Sequence, residues 1–257
     1  MNVSFWNTYK NKDINAILSK MIIKKEIDVM VLAEYEDSVI DLIQILGGNG
    51  QVYKKFDIFV CKKIVLLYKD DIKINYKNDS DSYYSVIMSR NGLKFELFMV
   101  HFPSKKYSDD NTQNIVARRL KCDINQEEKT LIIGDFNCNP FELPIMDMLG
   151  LSAFPSKKMK TRTVQGMKTN CLYNPMWRFF DDFENIPGTY YYNSNKSINY
   201  YWNIFDQVLM SNELITNFDS DSLEIVKSIG EINLIKNEKI DKQISDHLPI
   251  FLTLKEE

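Results

Sequence analysis

The chain has 257 residues and a formal net charge of −3, with 44% hydrophobic and 26% charged residues. That balance suits a folded globular protein with a sizeable core and argues against a strongly cationic, non-specific nucleic-acid coat protein. Four separated cysteines (Cys61, Cys122, Cys138, Cys171), with no C-x-x-C spacing and only two histidines, argue against a structural zinc site.

Asn2 to Trp6 reads as a first strand, closed by Asn7. No apolar signal-like core lies in this N-terminal stretch, and no run of about 18 apolar residues follows, so a cytoplasmic protein without a membrane span is expected. Over 13–25 the apolar positions Ile14, Ile17, Leu18, Met21 and Ile22 recur at helical spacing, with Asp13 as a candidate N-cap. Asp28 to Ala33 is a buried strand ending on Glu34, and Asp37 to Leu46 a helix stopped by Gly47-Gly48. Residues 51–100 turn β-rich, with strands over 52–61, 63–69, 72–76, 83–90 and 93–100 and a hairpin turn at Asn91-Gly92.

The last of these strands runs into His101-Phe102-Pro103. A helix follows over 109–126, then a strand and its polar end over 130–137, then a short helix over 141–149. Residues 150–200 are the least regular part. They hold a basic run (Lys157, Lys158, Lys160, Arg162) and an aromatic cluster (Tyr190, Tyr191, Tyr192, Tyr200, Tyr201, Trp202). Strands return at 204–210, 222–229 and 248–254. Neither an internal repeat nor a low-complexity linker divides the chain, so one domain over 1–257 is expected.

The most informative stretch is Leu131 to Asn137. Three apolar β-formers meet Gly134, where the chain can bend, and then Asp135-Phe136-Asn137. In extended backbone Asp135 and Asn137 point to one side and Phe136 to the other, toward a core. The plainer reading is a strand followed by an Asx-type turn. The other strand ends weigh against it: Asn7, Glu34, His101, Asp206, and Asp246 with His247 each adjoin an apolar β run. A sandwich of sheets brings such ends to a common rim, where chemistry usually sits.

These residue types suit one reaction. Glu34, Asp135 and Asp246 offer the oxygen ligands that Mg²⁺ or Mn²⁺ prefers. Asn7 and Asn137 can orient phosphate or ligand oxygens without adding charge. His247 can act as a general base on water, with Asp206 fixing its tautomer. His101 can donate to a phosphoryl oxygen. Metal-assisted attack of water on a phosphate ester uses all of these groups.

The segments Trp6-Asn7, Ala33-Glu34, Val100-His101-Phe102-Pro103, Gly134-Asp135-Phe136-Asn137, Asp206-Gln207-Val208-Leu209 and Ser245-Asp246-His247-Leu248-Pro249 span almost the whole chain. In that order they resemble the endonuclease/exonuclease/phosphatase superfamily. The resemblance implies a four-layer αββα sandwich, two mixed β-sheets packed face to face with helices outside. It implies a Mg²⁺- or Mn²⁺-dependent phosphodiesterase. Carried over by position, Glu34, Asp246 and Asn7 fall on the metal side, and His247, Asp206, Asp135, His101 and Asn137 on the catalytic side. Whether Asp135 or His247 is the base stays open. Two departures stand out: Ala33 where many members carry glutamine, and Tyr9 where repair-type members often carry a second acid.

For the substrate, the 150–203 stretch is the candidate. Lys157, Lys158 and Arg162 could contact phosphates, and Tyr191 and Trp202 could stack on bases, which makes nucleic acid the expected partner. Solvated lysines and packed sheet tyrosines are the plain alternatives, and Lys54-Lys55, Lys62-Lys63 and Lys105-Lys106 are read the same way, although Lys105 follows the His101 segment and so could lie near the site. The competing functions are a phosphatase of a small phosphorylated metabolite or inositide, and a non-catalytic binding subunit that keeps the fold.

Overall fold

The computed structural model describes residues 1–106, 110–125, 127–180, 187–195 and 197–256. The first strands are β1 (Asn2–Asn7), β2 (Val29–Ala33), β3 (Tyr53–Phe56), β4 (Ile64–Lys69), β5 (Lys73–Asp79), β6 (Tyr83–Arg90), β7 (Leu93–His101) and β8 (Thr130–Asp135). They are followed by β9 (Ala153–Phe154), β10 (Thr161–Val164), β11 (Met167–Asn170), β12 (Leu172–Tyr173), β13 (Tyr190–Tyr192), β14 (Tyr201–Asn203), β15 (Asp206–Met210) and β16 (Phe218–Ile225). Two short pairs, β17 (Ser228–Ile229) with β18 (Ile232–Asn233) and β19 (Ile235–Lys236) with β20 (Lys239–Ile240), precede β21 (Ile250–Leu254). The helices are α1 (Asn15–Lys24), α2 (Val39–Gly48), α3 (Asp110–Asp123) and the single turn α4 (Leu143–Met146). None of the described helices is long and apolar enough to cross a membrane.

Two large mixed sheets form the centre. One has six strands in the order β16-β21-β1-β2-β4-β3, the other seven in the order β5-β6-β7-β8-β15-β12-β9. Side-chain alternation builds the layers. Leu97 and Met99 of β7, Leu131 and Ile133 of β8, and Val208 and Met210 of β15 join one core with Val3, Phe5, Val29 and Val31 of the other sheet. The intervening Phe98, Val100, Ile132 and Leu209 join a second core with Ala117 and Leu120 of α3 and Ile145 of α4. Leu18, Met21 and Ile22 of α1 and Leu42 and Leu46 of α2 pack into the first core. This is the αββα sandwich expected from the sequence.

Several boundaries differ for identifiable reasons. Asp13 does not cap α1; the residue before the helix is Ile14, and the Asn15 N–H is satisfied by the carboxylate of Asp37, from the loop before α2. Ser38 caps α2 through the Asp41 N–H, and the helix runs through Gly47 to Gly48 before Asn49 closes it. The strand expected over 52–61 stops at Phe56, because Asp79 takes the N–H groups of Phe59, Val60 and Cys61 out of any ladder. The helix expected over 109–126 spans Asp110–Asp123, while residues 109 and 126 lie outside the described residues. Over 141–149 only Leu143–Met146 is helical. The strand expected over 222–229 starts earlier, at Phe218, and its register with β21 breaks between Asp219 and Glu224. The irregular 150–200 stretch holds the hairpin β10–β11 and the first strand of the β13–β14 pair.

Gly134 lies within β8 rather than at a bend. Its φ is 151°, and a Cβ there would lie 2.0 Å from the Val100 carbonyl oxygen. The residue lets β7 and β8 approach closely one step before the site. The Asn91-Gly92 turn joins β6 to β7 with both residues at positive φ, 46° and 78°, as a two-residue hairpin of this kind requires.

Candidate active site

The rows of side chains that fill the space between the sheets continue past the core at one end. Val3 and Phe5 lead to Asn7, Leu97 and Met99 to His101, and Leu131 and Ile133 to Asp135. On the antiparallel β15 the row begins with Asp206 and continues through Val208 and Met210. The register brings these ends together: His101 pairs with Asp135 across β7 and β8, and Asp206 pairs with Asp135 across β8 and β15. The other sheet contributes Asn7, Glu34 just beyond β2, and Asp246-His247 just before β21.

Asp135 is the hub. Its carboxylate accepts hydrogen bonds from the Asn7 side-chain amide (3.1 Å), the Asn137 side-chain amide (3.2 Å) and the Asn137 backbone N–H (2.8 Å). Asn137 reaches it through a turn rather than by extended alternation, since its φ is +50° and its side chain also donates to the Phe102 carbonyl. The strand and the Asx turn, alternatives in the sequence, are both present. Phe136 points away into the helix-side core against Phe102, as expected.

His247 Nδ1 lies 2.8 Å from Asp206 Oδ2, and its Nε2 faces Asp135 Oδ2 at 3.9 Å and Asp246 Oδ1 at 3.8 Å. Its backbone is fixed by Ser245 Oγ, which accepts the His247 N–H, and by Trp6 Nε1, which donates to the His247 carbonyl. Thr189 Oγ accepts the Asp206 N–H. On the other flank His101 Nε2 lies 3.5 Å from Glu34 Oε1 and 3.8 Å from Asp135 Oδ2. Glu34 itself sits at φ +49°, which turns its side chain out of the β2 row.

Charge and burial set the protonation. Burial disfavours a charged His247, but the carboxylates of Asp206 and Asp135 overrule it and raise its pKa. Burial raises Asp206, with His247 opposing. The pair therefore holds one proton between them, and the surrounding carboxylates favour its residence on the imidazole. Burial also raises Asp246, and Glu34 and Asp135 add to the shift.

The donor set fits a hard divalent cation. Asp246 Oδ1 is buried with no hydrogen-bond partner, and Glu34, Asp135 and Asp246 crowd their negative charges together. Asp135, Asp206 and His247 also bring ligand-type atoms within 4.8 Å of one another. Since Asp206 and His247 are hydrogen-bonded to each other, we read that trio as a proton array and the three carboxylates as the cation side. The Asn7 amide is already engaged, with Nδ2 on Asp135 and Oδ1 accepting the Tyr9 N–H. Through Nδ2 it orients Asp135.

The residues expected to bind substrate are not brought to this rim. Lys157 lies over the rings of Tyr173 and Phe218, and Arg162 over Phe154. Tyr173 pairs with Met210 and Phe218 with Leu254, each at the end of its partner strand away from the site. Lys158 is exposed on the same segment, its N–H donating to Ser156 Oγ. Tyr191 and Trp202 pair with each other across β13 and β14 and pack on the inter-sheet core. The tyrosine at the site is Tyr190, whose ring lies 4.7 Å from that of His247 and stacks on Phe205. Burial pushes its phenol up to about 12, with Asp246 and Asp135 adding, so the hydroxyl stays protonated. Strand alternation carries the signal that Tyr190 and Tyr191 face opposite ways; its phase is fixed only by the bridge between Tyr190 and His247.

A model of the Endonuclease/Exonuclease/phosphatase family matches residues 5–247. No curated protein matches the sequence. Among solved structures, the endonuclease domain of TRAS1, a telomere-specific non-LTR retrotransposon, superposes with a TM-score of 0.58 at 9% identity, covering 98% of this chain and 97% of that one. TDP2 from D. rerio in complex with a single-strand DNA product gives 0.56 at 14% identity, covering 98% of both chains. The 3′ phosphatase NExo from Neisseria, bound to a product DNA hairpin, gives 0.56 at 12% identity, covering 99% of both. At these identities the likeness is one of fold.

Proposed function

The chain belongs to the Endonuclease/Exonuclease/phosphatase family of phosphate-ester hydrolases, and we propose that it is a divalent-cation-dependent phosphodiesterase whose substrate is nucleic acid. The observation that carries the reading is the Asp206–His247 pair set against Asp135, with Glu34 and Asp246 beside it on one rim. The similar folds bound to DNA support the choice of polymer.

Glu34 and Asp246, with Asp135 between the two flanks, would hold the cation, Mg²⁺ or Mn²⁺. When bound, it polarises a phosphoryl oxygen and makes a water a better nucleophile. The chain's own groups do the rest. Asp206 fixes His247 Nδ1, which leaves Nε2 to hold or take up a proton at the reacting phosphate. Asn7 and Asn137 hold the Asp135 carboxylate in one orientation. His101 Nε2, between Glu34 and Asp135, donates to a phosphoryl oxygen. Tyr190 covers His247 and keeps bulk water from its ring.

The test is a cleavage assay on single-stranded DNA, duplex DNA and RNA in Mg²⁺, with an EDTA control and the Asp135→Ala/His247→Ala double variant. Metal-dependent cleavage lost in the variant supports the reading, and the preferred polymer names the nuclease class. Turnover of a small phosphomonoester panel with no polymer cleaved would replace it with a phosphatase.

A further inference from the structure

Glu34 is held through its own peptide groups between two lysine-bearing segments. The Lys10 N–H donates to the Glu34 carbonyl at 2.9 Å, and the Glu34 N–H donates to the Lys63 carbonyl at 3.2 Å. With Lys62, Tyr35 and the stretch from His101 to Ser104, these segments line a cleft of about 470 Å³ beside Glu34 and His101. Of the two acids in its wall, Glu36 lies 4.0 Å from Lys12, and Glu34 faces His101 and the candidate cation position. Lys10, Lys62 and Lys63 are exposed, and among the described residues none of them has an acidic partner. Three ammonium groups thus border the candidate reaction centre, none of them in an ion pair among the described residues.

The loop that carries Lys62 and Lys63 is firmly held. One carboxylate, Asp79 at the end of β5, accepts the N–H groups of Phe59 (3.1 Å), Val60 (2.7 Å) and Cys61 (2.9 Å). Cys61 is buried beneath, and burial pushes its thiol up to about 12, so it anchors the loop rather than reacting. At the tip Phe59 is 80% exposed. A large aromatic on a fixed loop loses little conformational freedom when something stacks on it. Ammonium groups carried on the same loop as an exposed ring match the two parts of a nucleotide, its phosphate and its base.

We propose that Lys10, Lys62 and Lys63 grip the phosphodiester backbone next to the reacting phosphate, and that Phe59 stacks on a base of the same strand. This rests on the nucleic-acid reading of the site. The strand then enters on the Glu34–His101 flank, the opposite side from Tyr190. Lys10 and Lys63 hang from the Glu34 peptide, so the same backbone that sets a cation-side carboxylate also sets the two phosphate contacts.

The test measures kcat and KM in Mg²⁺ on a fluorescein-labelled single-stranded oligonucleotide, from 50 to 200 mM KCl. Lys62→Ala/Lys63→Ala should raise KM more than it lowers kcat. It should also flatten the slope of log(kcat/KM) against log[KCl] by about 1.4, at about 0.7 per lost single-strand phosphate contact. Phe59→Ala should raise KM by roughly five-fold or more and leave the salt slope in place. The charge-matched Lys73→Ala/Lys94→Ala variant, at the far end of β5 and β7 from His101, should keep the wild-type slope. A wild-type slope and KM in Lys62→Ala/Lys63→Ala, with the polymer still cleaved, overturns the inference and leaves the nuclease reading standing. A wild-type protein that hydrolyses bis(p-nitrophenyl) phosphate but leaves the oligonucleotide intact overturns both.

Discussion

Asp206 sits directly opposite Asp135 across the antiparallel ladder of β15 and β8. Opposed residues in such a ladder place their side chains on the same face, about 5 Å apart at Cβ. Two buried carboxylates at that distance repel, and the fold answers by laying His247 over them, bonded to the first and facing the second. The sheet register itself creates the demand for a proton at this place.

Asp206→Asn leaves the shape and removes the charge. The amide N–H of the variant can face Nδ1, which moves the imidazole proton to Nε2 and leaves the ring neutral. We expect kcat for Mg²⁺-dependent cleavage to fall by about 10²- to 10⁴-fold, with a wild-type far-ultraviolet circular dichroism spectrum. Cleavage within about threefold of wild type would remove the pair from the chemistry.

Gly134→Ala tests the close approach of β7 and β8. The added Cβ would meet the Val100 carbonyl at 2.0 Å, and Gly134 and Val100 are register partners one step before His101 and Asp135. Backbone must move, because the closest atom is a carbonyl oxygen and a shift of the Val100 Cγ2, 2.8 Å away, would not relieve that contact. A loss of about 3 kcal/mol or more in urea denaturation is expected, in the range of severe overpacking. Phosphate-ester hydrolysis should fall with it, since the same shift separates His101 from Asp135. A variant with wild-type stability would mean that the strands relax freely here.

How much of this was legible in the sequence follows from how each residue reaches the site. Asn7, His101, Asp135 and Asp206 could be found because each adjoins its own apolar run, and alternation within one strand fixes the face. Tyr190 could not be told from Tyr191, because three consecutive tyrosines carry no phase of their own. Lys62 and Lys63 looked like solvated charge; they reach Glu34 through the pairing of β2 with β4, where Ala33 opposes Ile64. Lys157 and Arg162 have the right chemistry at the wrong end of a sheet, and composition does not record which end. The αββα layering was expected from the family resemblance that the six ordered segments carry, while alternation alone marked which face of a strand is buried.

Away from the site, the fold carries an acid-sensitive clamp. Arg90 makes two hydrogen bonds to Asp28, at 2.8 and 3.1 Å, and Lys69 and the Asn2 N–H complete the carboxylate's shell. Burial raises the Asp28 pKa, but the bonds from Arg90, Asn2 and Lys69 outweigh it and lower it from 3.8 to about 2. A depressed carboxylate stabilises the fold above its unfolded pKa, and that stabilisation is lost as pH falls through the folded value. The stability difference between wild type and Asp28→Asn should therefore be full at pH 5, on the order of 2 kcal/mol, and shrink between pH 4 and pH 2. Urea midpoints at each pH measure it, and a difference that does not change with pH would rule the clamp out.

Asp246 should behave in the opposite sense. Burial, Glu34 and Asp135 all raise its pKa, so at neutral pH an ionised Asp246 opposes folding. Its Oδ1 is buried without a partner, which adds to the cost. A residue kept at such a cost is explained by what it binds. In EDTA, Asp246→Asn should melt at a higher temperature than the wild type, because the amide is neutral. In Mg²⁺ the order should reverse: the wild type gains stability from binding, by RT ln(1 + [Mg²⁺]/Kd), while the variant gains little. Cleavage by the variant should fall by about 10²-fold or more, the scale of losing one electrostatic group at a reaction centre. Thermal melts with and without Mg²⁺ read both halves. If Asp246→Asn destabilises the metal-free protein, the carboxylate is a structural group whose partner lies within the fold, and the cation would have to be held by Glu34 and Asp135.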